Sequence, residues 1–276
     1  MIDFTITEDE QLLRDTALRF GREQLGGEAE RRHETAQAYP AEIHARYEQM
    51  GLSALNVPDS GMEIAHRIAV WGALAESDPA APFALDPIGP GGAVLSLLPE
   101  GRGVIVADSA ISRTGTTLSG TVSWVARDAI DWLVVLDAEG VWLVLNPATE
   151  SIPSRTCGLQ ACGALQVHLD GMEAKQIGDA EQSVKALCEC RCLAATVLIG
   201  AARDAHHSAA VYTQERVAFG KPIAHHQGLA FQLADAATEI MAAQLLLEAA
   251  VGDATLMANA HAFAAKMAPW VCERSV

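Results

Sequence analysis

The sequence predicts an α+β fold in which helices come first, short strands follow and helices return. Three observations carry this. Up to about residue 102 the apolar residues recur at helical spacing. From Gly103 they collect in short β-rich runs, and from Ala180 onward the spacing is helical again. The expected organisation is an N-terminal helical domain over 1–102, a middle antiparallel β domain over 103–179 and a C-terminal helical bundle over 180–276.

Each element has a local reason. Thr7-Glu8-Asp9-Glu10 fits a capping box, and Leu13, Ala17, Phe20 and Gln24 continue it as a helix expected to end at Gly26-Gly27. A second helix is predicted from Ala41 to Met50, closed by Gly51, followed by the loop GLSALNVPDSG and a third helix from Glu63 to Glu76. Pro79, Pro82, Pro87 and Pro90 limit the stretch 78–92 to loop or short helical turns. VIVAD, LSGTVSWV, WLVVLD, VWLVLN and LQVHLD read as strands, with Asp137–Gly140 as a hairpin turn. A long helix from Glu181 to Glu215 is interrupted at FGKP, where Gly220 stops a helix and Pro222 suits the first turn of the next. The following helix is predicted over His225–Val251, and the last begins near Asp253 and is disturbed at Pro269.

Composition narrows the function classes. The 276 residues carry a formal charge of −16, a field that repels phosphate backbones, so nucleic acid is excluded as an expected partner. No run of about 18 apolar residues occurs, so no transmembrane helix is predicted. The start MIDFTITEDEQLLRD lacks the basic and apolar regions of a signal peptide, and a cytoplasmic location is expected. Six cysteines in such a chain point to buried thiols. Cys188 and Cys192 share a helical face that Cys190 does not, and the Cys157–Cys162 spacing is not that of a zinc knuckle. His206-His207 and His225-His226 are adjacent pairs whose members diverge on a helix; they read as surface or interface residues, and no metal site is expected. Trp124, Trp132 and Trp142 lie in strands and read as core.

The segment YTQERVAFGKPIAHHQGLAFQLADAATEI resembles the Arg-x-x-Phe-Gly-x-Pro-Ile-x-x-x-Gln segment of the acyl-CoA dehydrogenase family in residue type, spacing and position. MGLSALNVPDSG is similar to a loop after that family's early helices, and LSGTVSWVARDAIDWLVVL resembles its Gly-x-x-x-Trp-Ile-Thr-Asn-x-x-x-Ala-Asp pattern with several substitutions. The resemblance covers most of the chain and implies the same helical–β–helical fold. It also implies that Arg216, Phe219, Ile223 and Gln227 contact an FAD held by a neighbouring subunit. The chemistry agrees: a guanidinium forks onto a pyrophosphate, an aromatic ring offers a flat surface, and a primary amide donates and accepts. On periodicity alone, Arg216 is a helix C-terminal cap and Gln227 an exposed helix residue; the match of the whole segment favours the cofactor reading.

The departures from that family carry as much weight. The stretch from PEGRGVIVADSA to ISRTGTTLSG lacks the family's Thr-Glu-Pro segment, and the first domain is shortened. Trp124-Val125-Ala126-Arg127 stands where the family has Trp-Ile-Thr-Asn, so the hydroxyl that meets the isoalloxazine is gone. The Gly-Gly-x-Gly-Tyr turn that precedes the base of most members would begin where this chain ends. In a minority the base sits where this chain has Cys190; Glu189 is one place off, about 100° around the helix. No catalytic residue is assigned. Either the chain is part of a longer protein, or it is a shortened subunit of the heteromeric, steroid-degradation type, and the three internal losses favour the second.

The expected function is therefore that of one subunit in an FAD-dependent acyl-CoA dehydrogenase performing α,β-desaturation of a CoA thioester. A larger acyl-CoA dehydrogenase-like partner would supply the flavin domain and base in a heterotetramer, and local basic groups would be needed for the anionic CoA ester. The alternatives are a non-catalytic scaffolding pseudo-enzyme of the same fold, or a flavin oxidase or monooxygenase-type reaction on it.

Overall fold

The computed structural model describes residues 6–58, 60–152 and 158–275. Asp59 of the early loop and Cys157, one flank of CGLQAC, lie outside the described residues. In chain order the helices are α1 (Glu8–Phe20), α2 (Ala29–Thr35), α3 (Ala41–Gln49), α4 (Ile64–Ser77) and α5 (Ala81–Leu85). The strands β1 (Gly103–Val106), β2 (Ile111–Thr114), β3 (Thr117–Val125), β4 (Trp132–Leu136), β5 (Gly140–Leu145), β6 (Ala148–Ser151), β7 (Leu165–Glu173) and β8 (Lys175–Asp179) follow. The chain continues with α6 (Ala180–Glu215), β9 (Val217–Ala218), β10 (Lys221–Pro222), α7 (Gln227–Ala249) and α8 (Ala254–Ser275). The fold is thus helical, β and helical, as the sequence predicts.

In space the chain forms two compact units. One gathers the chain up to Arg22, Ile68–Pro79 and Arg191 onward; the other gathers Glu23–Arg67 and Ala80–Cys190. The strands of the second unit form two four-stranded sheets, in the orders β1-β4-β5-β8 and β2-β3-β7-β6. The pairing is antiparallel except between β1 and β4, which run parallel; the all-antiparallel expectation is corrected there. The cause is a long connection: β2 and β3 intervene between the two strands and belong to the other sheet. Leu118 and Val122 of β3 and Val167 and Leu169 of β7 pack with Leu133, Val135 and Val144 from β4 and β5. On the other face of β4, Trp132, Val134 and Leu136 pack with Leu95, Ile177 and Ala186 of α6. Every residue of β4 is buried, which explains its uninterrupted WLVVL run. Trp132 and Trp142 are core, as expected, but Trp124 is 41% exposed, at a register shift between Val122 and Val125 that breaks the inside–outside alternation of β3.

In the first unit the capping box at Thr7 forms as predicted, with Glu10 reaching back to the Thr7 backbone. Gly26-Gly27 does not end that helix: regular α geometry stops at Phe20 and continues through a π-turn, Gly21–Leu25, and a 3-10 turn, Gly26–Glu28. Gly200 of α6 fits against α4, where an added Cβ would lie 2.7 Å from the Gly72 carbonyl oxygen and 2.8 Å from the Ala75 Cβ. Glu76 accepts from Arg14 at 3.1 Å and from Arg203 at 2.7 Å, tying α1, α4 and α6 together. Helix α8, begun by Asp253 accepting from Thr255 and Leu256, runs unbroken through Pro269, where a disturbance was expected. Ala264, Met267, Ala268 and Val271 are buried around that proline, so packing holds the turn despite the missing donor. No helix among the described residues is long and apolar enough to cross a membrane.

Candidate functional site

The residues singled out by the sequence lie on one hairpin and the helix after it. Arg216 follows the last residue of α6, and its backbone N–H still donates to Tyr212 at 2.9 Å. The chain then turns back: Lys221 pairs with Ala218 and Pro222 with Val217. Ile223 N–H donates to the Arg216 carbonyl at 2.8 Å and closes the base of the hairpin. The two tip residues are Phe219 and Gly220, at φ 54 and 81. Two consecutive positive φ values are what a tight two-residue hairpin demands, and glycine meets them without cost while phenylalanine does not. Pro222 therefore ends a short strand and precedes a 3-10 turn, Ile223–His225, rather than opening α7 as expected; α7 starts at Gln227.

The hairpin presents its side chains outward. Phe219 is 96% exposed, Arg216 and Gln227 are exposed, and Ile223 is half-buried. Among the described residues Arg216 forms no salt bridge. The structure thus brings Arg216, Phe219, Ile223 and Gln227 into one short stretch of surface. Behind them, α7 carries Leu229, Phe231, Met241 and Leu245 exposed, while Ala236, Ile240, Ala243 and Leu247 are buried. Its outer face is mixed, with these exposed apolar side chains interspersed with the exposed Gln232, Asp235 and Thr238.

The other places weighed from sequence have structural occupations. Glu189 accepts a hydrogen bond from Arg67 at 2.8 Å inside the protein. The Cys190 thiol donates to the Pro90 carbonyl at 3.3 Å. No cluster of three or more His, Cys, Asp or Glu suited to a metal occurs among the described residues.

At the Trp-Ile-Thr-Asn equivalent, Ala126 offers no hydroxyl. The Arg127 guanidinium is buried and turned inward, donating to the Phe83 and Asp86 carbonyls at 2.6 and 2.7 Å. Burial pushes the Asp86 carboxyl up from its ordinary value, opposed by hydrogen bonds from Gly89, Asn56 and Ile88 and by the charge of Arg127. This buried knot of Asn56, Asp86 and Arg127 was missed by sequence reasoning, as was Arg67. Its members are up to 71 residues apart, shown by the Asn56–Asp86 and Asp86–Arg127 separations of 30 and 41.

Comparison with known proteins agrees with this architecture. Residues 180–276 match the family described as acyl-CoA dehydrogenase, C-terminal domain. The chain is 24% identical over 303 residues to benzylmalonyl-CoA dehydrogenase of Aromatoleum aromaticum, covering 90% of this chain and 80% of that protein. A stretch of 89 residues, 30% of this chain but only 22% of the relative, is 39% identical to 3-sulfinopropanoyl-CoA desulfinase of Cupriavidus necator. Butyryl-CoA dehydrogenase from Megasphaera elsdenii superposes with a TM-score of 0.81 at 17% identity, over 99% of this chain and 88% of that one. The ChsE4-ChsE5 complex from Mycobacterium tuberculosis gives 0.80 at 20% identity, over 100% and 87%. The chain has the acyl-CoA dehydrogenase fold, and its last third matches that family's C-terminal domain.

Proposed function

We propose that the chain is one subunit of an FAD-dependent acyl-CoA dehydrogenase that desaturates a CoA thioester between Cα and Cβ, its hairpin meeting an FAD held mainly by a larger partner subunit. The observation that carries this is Phe219: a phenylalanine 96% exposed, in a left-handed backbone conformation, flanked by the exposed Arg216 and Gln227. Both the conformation and the exposed ring are unfavourable in the isolated chain, by an amount on the order of 1–3 kcal/mol for the backbone alone. Such strain at an exposed tip fits a surface built for contact.

The residues present fit half of a flavin site. Arg216, which forms no ion pair among the described residues, would fork onto the pyrophosphate, Gln227 would donate and accept at the cofactor's polar edge, and Phe219 with Ile223 would shield it from water. FAD, when bound, supplies the acceptor for the hydride that leaves the β carbon. The chain's own β unit does not fit the other half, since Ala126 and the inward-facing Arg127 replace the hydroxyl and amide of the family pattern. The proton at Cα needs a carboxylate, and Glu189 is engaged by Arg67, so the base is assigned to the partner. The likeness to a chain of the ChsE4-ChsE5 complex favours a heteromeric arrangement, with acyl-CoA as substrate and the assembly acting as a cytoplasmic enzyme.

The test is co-expression with a full-length homologue carrying an intact Thr-Glu-Pro segment. A yellow complex that bleaches on adding an acyl-CoA is the expected result. A colourless homo-oligomer that takes up no flavin with or without the partner refutes the assignment. Within the complex, Arg216→Ala should reduce flavin content by about tenfold or more while the isolated chain stays folded. Unchanged flavin content would remove Arg216 from the site.

A further inference from the structure

We propose that His226 is the positioning residue of this surface, holding the hairpin tip and the start of α7 in one fixed relation. The assignment rests on the flavin-contacting reading of the hairpin but concerns a side chain that the reading does not use. His226 is half-buried, unlike the exposed His225 beside it. Its Nε2 lies 3.3 Å from the Ala218 carbonyl oxygen, on the opposite arm of the hairpin. A carbonyl only accepts, so Nε2 carries the proton in this contact. The ring also meets Phe219 edge-on, with centroids 6.0 Å apart and planes at 81°. That is a favourable aromatic geometry, and it restrains a ring otherwise surrounded by solvent.

The backbone of the same residue holds the other half. The His226 carbonyl accepts from Leu229 and Ala230, both at 3.0 Å, which starts α7 and sets Gln227 as its first residue. His226 N–H donates to Ile223 at 3.0 Å. One residue therefore touches Ala218, Phe219, Ile223 and the first turn of α7. The hairpin is two residues long on each arm, too short to be rigid by its own ladder. Lys221 Nζ adds a bond to the His225 carbonyl at 3.1 Å, but from the exposed side. The imidazole is what links the strained tip to the helix, and so fixes the spacing of Arg216 and Phe219 from Gln227.

The experiment compares His226→Ala, His226→Gln and His226→Phe. On the isolated chain, amide exchange at Ile223, whose N–H closes the hairpin, should accelerate roughly three- to tenfold in His226→Ala and return toward the parent rate in His226→Gln, which restores a donor of similar reach. His226→Phe, which keeps the ring and loses the donor, should fall between. In the complex co-purified with the flavin-bearing subunit, FAD content should drop in His226→Ala and recover in His226→Gln. Unchanged exchange at Ile223 in His226→Ala overturns the proposal. So does faster exchange with full FAD content, provided that Arg216→Ala lowers it. If Arg216→Ala also leaves FAD content intact, the flavin reading itself fails, and the exchange data on the isolated chain still report whether His226 holds the hairpin.

Discussion

Arg67 and Glu189 form an ion pair inside the protein: Arg67 Nη2 donates to Glu189 Oε1 at 2.8 Å, with the side chains only 5% and 12% exposed. Arg67 Nε and Nη1 and Glu189 Oε2 have no other partner among the described residues, so a single hydrogen bond joins two buried charges. Each charge is tolerable only because of the other. Removing one leaves its partner unpaired in a low-dielectric setting, a loss of about 3–5 kcal/mol. Glu189→Ala should therefore lower the urea midpoint sharply, and the double variant with Arg67→Met should recover much of the loss. A single variant that unfolds at the parent's midpoint would show that the pair is solvated.

Acid should loosen the β4–β5 hairpin. Burial pushes the Asp137 carboxyl up, but hydrogen bonds from Arg113 and from the Glu139 and Gly140 N–H groups outweigh it and hold the group below its ordinary value. A lowered folded-state value means that the unfolded chain takes up the proton first. The stabilisation is then complete above about pH 4, the unfolded-state value, and is lost as pH falls through the folded-state value. The parent's unfolding midpoint should drop faster than that of Asp137→Asn as pH is lowered below about 4. Parallel pH profiles would contradict the assignment.

Two glycines are set by close approach. A Cβ on Gly103 would lie 2.0 Å from the Trp132 ring, and one on Gly200 would meet the backbone of α4. Neither neighbour is the far end of a flexible chain, so each site must shift to admit a methyl group. Gly103→Ala and Gly200→Ala should each cost about 1–3 kcal/mol, seen calorimetrically as a drop of several degrees in Tm. Gly27, with nothing within 4 Å, is the control, and Gly27→Ala should leave Tm nearly unchanged.

What the sequence made legible was local. The Thr7–Glu10 box, the Asp137 turn and the α6 span all rest on residues within a few positions of each other, and all appear where the pattern put them. The extent of the first helix was misread because Gly21, Gly26 and Gly27 look alike in sequence. Gly21 is there because a Cβ would strike Ser77, a contact 56 residues away in the chain. The parallel β1–β4 pairing and the intact helix at Pro269 depend on packing that no short window contains. The candidate site residues Arg216 to Gln227 are contiguous in the chain, so their proximity could be read directly. His226 was hidden by its neighbour, since only the fold shows that one histidine of the pair turns inward. Arg67 and Glu189, 122 residues apart, left no trace in either local pattern.

The hairpin tip offers a direct separation of stability from contact. Asparagine accepts positive φ far more readily than phenylalanine, and Asn-Gly is the favoured pair for a two-residue hairpin. Phe219→Asn should therefore stabilise the isolated chain by about 1 kcal/mol, relieving the backbone at φ 54 and removing an exposed ring. If the ring is there to meet a flavin in a neighbouring subunit, the same substitution should weaken the complex and lower its FAD content. Denaturation of the isolated chain and flavin absorbance of the co-purified complex measure the two effects independently. A variant both more stable and fully flavin-loaded would mean that Phe219 serves no contact. A variant less stable in isolation would mean that the ring already has a role within its own chain, through His226.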